Sequence, residues 1–449
     1  MAKKTGSIMY KCSACTYTQS RWLGRCPQCG EWNTLEECIV EKDSNGRREI
    51  QEKAVALSLS EVSKNERARF STGIEELDRV LGGGAAFRSA ILIGGEPGIG
   101  KSTLMLQACS CNLTSGGKNN FRVLYVSGEE SSTQIKERAE RLQIKEDAIS
   151  LLCTTRLEDI LSCLEEQVPN FIIVDSIQTV YSALAGLIPG TVNQLKYCAN
   201  ELIQWVKEHE AVLIMSAHVT KEGVIAGPKS LEHMVDTVIS FESTSDEFRF
   251  LRSTKNRFGS VDEIGIFEMT ERGLVEVADP ATLFITRREG ALPSGISYCA
   301  VFEGSRVFMV ELQALTVSAK GSLSRVYSDK IDSSRVARVA AVLEKKLGLR
   351  FSDQDIYVNV AGGIRLTESA VESALAAALY SARCDIPLSE KTAFIGELSL
   401  AGEIRQVSKM QQRIKTAFAM GFEQVIAPDK QENLIYADNI KDLVAKVFG

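Results

Sequence analysis

At 449 residues, with 44% of positions apolar and 24% charged, the chain is long enough for two or three domains with substantial cores, and its balance is that of a globular protein rather than a disordered or fibrous one. A net charge of −6 excludes the global basic excess that would advertise nucleic acid, so any such contact has to come from local patches. Met1-Ala2-Lys3-Lys4 leads into no apolar signal core, and no run approaches the roughly 18 apolar residues of a membrane span, which argues against a membrane protein and predicts a cytoplasmic one.

In a reducing compartment the 12 cysteines serve metal, catalysis or packing rather than disulfides. Four of them fall as Cys12-x-x-Cys15 and Cys26-x-x-Cys29 with ten residues between the pairs, the ligand set of a tetrahedral structural zinc site. A redox Cys-x-x-Cys is the alternative, but two paired knuckles without a thioredoxin-like context favour zinc. Residues 1–38 are too few to bury a core, so the metal supplies the folding energy of this module. Cys38 lies outside the spacing. Lys3, Lys4, Lys11, Arg21 and Arg25 meet no acidic residue before position 31, and with Tyr17, Trp22 and Trp32 nearby the module suits either single-stranded nucleic acid or a partner protein; a solvated basic knob accounts for the same residues. Residues 39–66 are charged and weakly periodic, with only a short Ala54-Val55-Ala56-Leu57 patch, and are expected to be a linker.

A second domain is expected over 67–278. Thr72 is placed to cap a helix carrying Leu77, Val80 and Leu81, which Gly82-Gly83-Gly84 ends. The apolar run Ala90-Ile91-Leu92-Ile93-Gly94 then leads into Gly95-Glu96-Pro97-Gly98-Ile99-Gly100-Lys101-Ser102-Thr103, a phosphate-binding loop flanked by strand and helix as its chemistry requires. Backbone N–H groups would cradle the phosphates of ATP, Lys101 would reach the β- and γ-phosphates, and Ser102 would ligate magnesium. Apolar runs at 121–126, 171–174, 211–215 and 237–241 alternate with helical patterns at 131–142 and 191–207, which predicts a mainly parallel sheet covered on both faces.

Two strand ends carry carboxylates. Asp175 closes Phe171-Ile172-Ile173-Val174, the form of a strand whose aspartate orients the magnesium shell, while Glu129 is placed to polarise the attacking water, with Glu130 as the fallback. His218, at the end of the 211–217 run, is either a γ-phosphate sensor or a satisfied core histidine. The Gly-rich basic stretch 219–229 suits a loop that contacts DNA. Arg252, Lys255 and Arg257 crowd the end of a strand: they form a plain basic turn, or cations that a ring-shaped ATPase supplies to the neighbouring subunit's site.

Taken with the zinc module and the phosphate loop, the segments Glu76-Leu77-Asp78-Arg79-Val80-Leu81-Gly82-Gly83-Gly84, His218-Val219-Thr220-Lys221-Glu222-Gly223, Leu231-Glu232-His233-Met234-Val235-Asp236 and Lys255-Asn256-Arg257-Phe258-Gly259 resemble the bacterial RadA (Sms) family over nearly the whole chain. The resemblance implies a RecA-like fold and a hexameric, DNA-stimulated ATPase acting as a helicase on branched recombination intermediates, in DNA repair, branch migration and strand exchange. It further implies that Lys255 and Arg257 act on ATP or DNA, with single-stranded and branched DNA as partners and recombinase or helicase proteins as candidates for the zinc module. Ala85-Ala86-Phe87-Arg88-Ser89 departs from the family's Pro-Gly turn, which leaves the local turn shape open.

Residues 279–449 are expected to form an α+β domain with its own core: a helix after Asp332-Ser333-Ser334-Arg335, a strand at 355–360, a helix at 369–383 and a strand at 393–400. Through Gly396-Glu397-Leu398-Ser399-Leu400-Ala401-Gly402-Glu403-Ile404 it resembles the proteolytic domain of Lon. The positions of that family's serine and lysine fall on Ala370 and Gln411, which can form no Ser-Lys pair, although Ser369 and Lys409 lie close by. The domain is expected to serve assembly and DNA binding instead, with Arg306, Lys320, Arg325, Lys330, Arg335 and Lys345 as candidate contacts. The fold class is therefore α/β: a RecA-like P-loop core with an N-terminal four-cysteine zinc module and a C-terminal, proteolytically inactive Lon-like domain.

Overall fold

The computed structural model describes residues 7–13, 17–19, 21–32, 34–42, 48–51, 69–111, 121–144, 149–186, 191–218, 230–243, 248–277, 280, 283–286, 288, 290–319 and 324–449. Cys15, the 219–229 stretch, the 54–57 patch and Lys320 lie outside them.

The chain divides into two units, Met1–Glu66 and Arg67–Gly449. In the first, four antiparallel strands are ordered Thr18–Gln19, Ser7–Cys12, Leu35–Lys42, Arg48–Gln51. The last two of these strands reach into the 39–66 stretch expected to be linker. Ile39, Val40 and Ile50 are β-branched, and pairing supplies the order that a charged sequence does not announce.

In the second unit a nine-stranded sheet runs in the order Gly273–Glu276, Ile264–Thr270, Phe248–Asn256, Thr237–Ser243, Ser89–Gly95, Val212–His218, Phe171–Asp175, Val123–Ser127, Ile149–Cys153. The last six are mutually parallel and the first three are antiparallel additions at one edge. The strand that feeds the phosphate loop is thus central, buried along its full length. One face is packed by helices Glu75–Leu81, Lys101–Cys111 and Ser132–Arg141 around Ile91, Ile93, Leu104 and Ile173. The other is packed by Leu157–Gln167 and Val192–Glu208 around Leu92, Val126, Val174 and Leu213. Burial on both faces is why these strands read as continuous apolar runs.

Helix starts follow local chemistry in several places. Ser131 and Gln134 form a reciprocal capping box, Thr191 accepts from Gln194 N, and Asp332 accepts from the backbone N–H groups of Ser334 and Arg335. Thr72 does not act as the cap expected of it: its hydroxyl donates to Asp78 Oδ1 at 2.7 Å, and Ser71 donates to Asp78 Oδ2 at 2.5 Å, so the carboxylate one turn into the helix has captured both hydroxyls. The open turn at 85–89 settles with Arg88 at φ +59°, its N–H bonded to Ala211 O at 2.8 Å.

From Ile296 the chain builds a seven-stranded mixed sheet in the order Val326–Ser328, Gln354–Val360, Arg306–Ser318, Ile296–Glu303, Thr392–Phe394, Gln424–Ala427, Leu434–Tyr436. Helices Ser333–Leu347, Glu372–Cys384 and Met410–Ala419 cover it. The 393–400 run expected as one strand is two: Thr392–Phe394 joins this sheet, and Glu397–Leu398 pairs with Ile404–Arg405 in a separate ribbon. The core of this sheet includes Phe250, Ile264 and Ile266 from the antiparallel edge of the first, so one apolar cluster belongs to both. No helix among the described residues is long and apolar enough to cross a membrane.

Candidate ATPase site and zinc centre

Strand Ser89–Gly95 ends where helix Lys101–Cys111 is about to begin, and the turn between them is tight: Ile99 N donates to Glu96 O at 3.3 Å, with Gly98 and Gly100 at φ +77° and +116°. Those left-handed values favour glycine, and at Gly100 a Cβ would also lie 2.7 Å from Met269 Cε. Ile99 is buried and anchors the loop, while Glu96, Pro97 and Gly98 are exposed. Ser102 and Thr103 occupy the first turn of the helix, half-buried.

Lys101 is 5% exposed, and its ammonium donates to Gly95 O at 2.8 Å and Glu96 O at 2.9 Å. Burial holds its pKa below the usual lysine value, and the carboxylates of Asp175 and Glu129 offset part of that. The ammonium also lies 3.4 Å from His218 Nδ1, and His218 Nε2 lies 3.2 Å from Glu129 Oε1. Lysine only donates, so Nδ1 accepts, and the neutral ring then presents its proton from Nε2 to Glu129. His218 thus stands between the phosphate-loop lysine and a carboxylate.

Asp175 ends its strand at 9% exposure and accepts from Ser216 Oγ at 2.5 Å and Tyr125 OH at 2.8 Å. Burial and this carboxylate push the Tyr125 hydroxyl pKa well above its ordinary value, so Tyr125 stays a donor. Glu129 also accepts from Ser176 Oγ at 2.5 Å. Glu130 points elsewhere, forked against Arg138 at 2.7 and 2.5 Å. Neighbouring positions leave the two glutamates equivalent in sequence; the partner eight residues on separates them. Lys101, Glu129, Asp175 and His218 thus converge on one place, and Ser216, Ser176 and Tyr125, which sequence reasoning missed, orient the two carboxylates. These three are ordinary strand and loop residues with no signal of their own.

Lys255, Asn256, Arg257, Phe258 and Gly259 are not part of that convergence. Asn256 stands opposite Thr237, and Thr237 opposite Ile91, four positions before Gly95; at about 3.3 Å per residue this loop and the phosphate loop sit about 13 Å apart along the sheet, toward opposite strand ends. Arg257 pairs with Asp236 at 3.1 Å, and Asp236 Oδ2 accepts from Ala90 N at 3.1 Å. The Lys255 ammonium caps the short helix Ser230–Met234, donating to Glu232 O and Val235 O at 2.7 Å each. Burial, then the charge of Arg257, lower its pKa.

In the C-terminal domain Ala370 is buried and Gln411 exposed. Ser369 donates to Glu397 at 2.7 Å, while the Lys409 ammonium lies 4.4 Å from the Phe302 ring centroid, so the two are held by different partners.

In the N-terminal unit the thiol sulfurs of Cys12, Cys26 and Cys29 lie within 4.8 Å of one another, and Cys12 Sγ is 3.6 Å from Cys29 Sγ. A tetrahedral zinc with Zn–S bonds of about 2.3 Å holds its sulfurs about 3.8 Å apart, so these three residues fit zinc. Gly30 N donates to Cys26 O at 2.9 Å, closing the second knuckle. Trp22 and Trp32 are exposed. Because the sheet of this unit is small, a Cys26→Ser chain is expected to lose its zinc and to become protease-sensitive within residues 1–66, while the thermal transition of residues 67–449 stays where it was. Metal analysis with limited proteolysis and calorimetry of the full chain checks this; retained zinc in that variant overturns the ligand assignment.

A family model described as a rubredoxin metal binding domain matches residues 10–37, an ATPase model described as KaiC matches residues 70–150, and one described as subunit ChlI of Mg-chelatase matches residues 323–431. Over nearly its full length the chain is similar to proteins named DNA repair protein RadA. It is 59% identical to that of Treponema pallidum over 432 residues, covering 95% of this chain and 93% of the relative. It is 44% identical to that of Rickettsia typhi over 430 residues, with 95% of each chain covered, and 44% identical to that of Bacillus subtilis over 434 residues, with 95% and 93% covered.

Proposed function

The chain belongs to the RadA family of DNA repair proteins and carries an ATPase domain of the RecA-like class, and from that premise we propose that it is a cytoplasmic, ring-forming, DNA-stimulated ATP hydrolase that unwinds branched recombination intermediates and so promotes branch migration and strand exchange. The observation that carries the hydrolytic part is the convergence of Lys101, His218, Glu129 and Asp175 at the C-terminal ends of adjacent parallel strands. ATP phosphates enter the loop 95–101 and are met by backbone N–H groups and by the Lys101 ammonium. Ser102 and Asp175 would hold magnesium, which supplies charge neutralisation at the β- and γ-phosphates when bound. Glu129, oriented by Ser176 and His218, takes the proton of the attacking water. When the γ-phosphate departs, the Lys101, His218, Glu129 chain loses the negative charge that faced its lysine end, a route by which His218 reports the nucleotide state.

The position of Lys255 and Arg257, toward the strand ends away from their own phosphate loop, supports their acting on ATP held by the next subunit of a homo-hexamer. Single-stranded and branched DNA would be engaged by the 219–229 stretch and by basic residues of the C-terminal domain, and the zinc module would recruit recombinase or helicase partners.

A strand-displacement assay on branched DNA with and without ATP tests the reading. The natural chain is expected to separate strands only with ATP. Glu129→Gln is expected to bind ATP and DNA yet hydrolyse about 10²-fold more slowly and unwind nothing, whereas Glu130→Gln, which loses only the Arg138 pair, keeps most of its turnover. Binding and hydrolysis without strand separation by the natural chain would reduce the proposal to a nucleotide switch.

A further inference from the structure

The hairpin that joins strands Ile296–Glu303 and Arg306–Ser318 turns at Glu303-Gly304-Ser305-Arg306, and each of these four residues of the C-terminal domain touches an element that holds the Lys255–Gly259 loop of the ATPase domain. Glu303 pairs with Arg252, three positions before Lys255 on the same strand. A Cβ at Gly304, whose φ is +63°, would overlap Asp262 O, so the turn lies directly on the segment leaving the loop. Ser305 Oγ donates to Glu263 at 2.7 Å. Arg306, expected from the sequence as a DNA contact, is instead turned inward: it pairs with Glu76 at 2.5 Å, both largely buried.

Glu76 belongs to helix Glu75–Leu81, whose far end grips the same loop. Asn256 Nδ2 donates to Val80 O at 3.2 Å, and Arg69 bridges Gly82 O and Phe258 O. Gly82 and Gly259 meet backbone to backbone: a Cβ on either would stand 3.0 or 2.9 Å from the other's Cα. The near end of the helix is fixed as firmly, since Glu76 Oε2 accepts from Ile266 N at 2.9 Å and Glu76 N donates to Glu276 at 2.6 Å. The loop is therefore bracketed before, after and beneath by contacts that trace back to one four-residue turn in another domain.

We infer that the hairpin tip 303–306 is a positioning element for the Lys255–Gly259 loop, setting the loop's reach toward the neighbouring subunit's ATP and tying it to the C-terminal domain. Arg306, Glu303 and Glu76 are positioning residues in this arrangement, since none of them reaches the phosphate loop. The inference rests on the proposal that the loop acts across a subunit boundary. A loop that must meet a γ-phosphate tolerates little displacement, and misplacement by about 1 Å costs up to about a hundredfold in rate.

The test is steady-state ATPase of full-length Arg306→Ala with DNA. Its kcat is expected to fall ten- to a hundredfold with KM for ATP unchanged, Arg306→Lys is expected to recover part of it, and Glu303→Gln, a milder change should Arg306→Ala fold poorly, is expected to lower kcat in the same way. Mixing Arg306→Ala with Lys101→Ala is expected to restore turnover, because an intact loop then faces an intact phosphate loop. Unchanged kcat in both variants overturns the inference. So does a failure of this mixture to recover when a mixture of Arg257→Ala with Lys101→Ala does; if neither mixture recovers, it is the cross-subunit reading that fails.

Discussion

An Arg257→Ala chain is expected to bind ATP with nearly the natural affinity and to hydrolyse it about 10³-fold more slowly in the presence of DNA, the loss associated with removing a cation that meets transition-state charge from across an interface. The split between binding and turnover follows from place. The guanidinium pairs with Asp236 near the base of the phosphate-loop strand, remote from its own Lys101, so its removal leaves the chain's own nucleotide contacts intact. Fluorescent-nucleotide binding and steady-state ATPase measure the two halves. Equal mixtures with Lys101→Ala are expected to regain activity at junctions where each partner supplies what the other lacks. A loss of ATP affinity as large as the loss of turnover, with no recovery on mixing, would return Arg257 to a structural role within its own subunit.

The Lys101→Ala chain itself is expected to show turnover lowered about 10³-fold, with its thermal transition within a few degrees of the natural chain. Lys101 is buried with its charge disfavoured by burial, and its partners in the chain are two carbonyl oxygens of the loop and the ring of His218. Removing a buried cation whose pKa is already depressed costs the fold little, because the folded chain was holding that charge at a disadvantage. On the proposed function it removes the ammonium that would meet the β- and γ-phosphates. DNA-stimulated turnover retained in Lys101→Ala, measured with calorimetry to establish folding, would remove this loop as the reaction centre.

Much of the site was legible because its chemistry is local. A strand, a glycine-rich turn and a helix carrying Lys101 and Ser102 are consecutive in the chain, and Asp175 announces itself by closing an apolar run. The helix starts at Ser131, Thr191 and Asp332 were legible for the same reason, since a cap and the backbone N–H that donates to it are two or three residues apart. What failed to show in the sequence depends on distant partners. Thr72 looked like a cap until Asp78 took its hydroxyl, and Glu129 could be told from Glu130 only once Arg138 claimed the latter. Strand Arg306–Ser318 carries a wholly buried Glu311, which breaks the apolar pattern and hides the strand; Arg288 and Gln313 satisfy the carboxylate and hold its pKa below the usual value despite burial. The residues of the Lys255–Gly259 loop were visible, but their location was not, because only sheet register places them toward the far end of the phosphate-loop strand.

Phe250, Ile264 and Ile266 lie on strands that extend the ATPase sheet yet are packed in the apolar cluster of the C-terminal domain. In evolutionary terms this makes the two domains poor candidates for independent exchange. A recombination event that joined this ATPase sheet to an unrelated C-terminal partner at residue 279 would leave three large side chains facing water, each costing roughly 1.5–3 kcal/mol of lost burial, a sum comparable to the whole stability of many domains. The pair is expected to travel through descent as one inherited block, with the N-terminal unit, a compact unit of its own whose cysteines fit zinc, as the part free to be gained, lost or replaced.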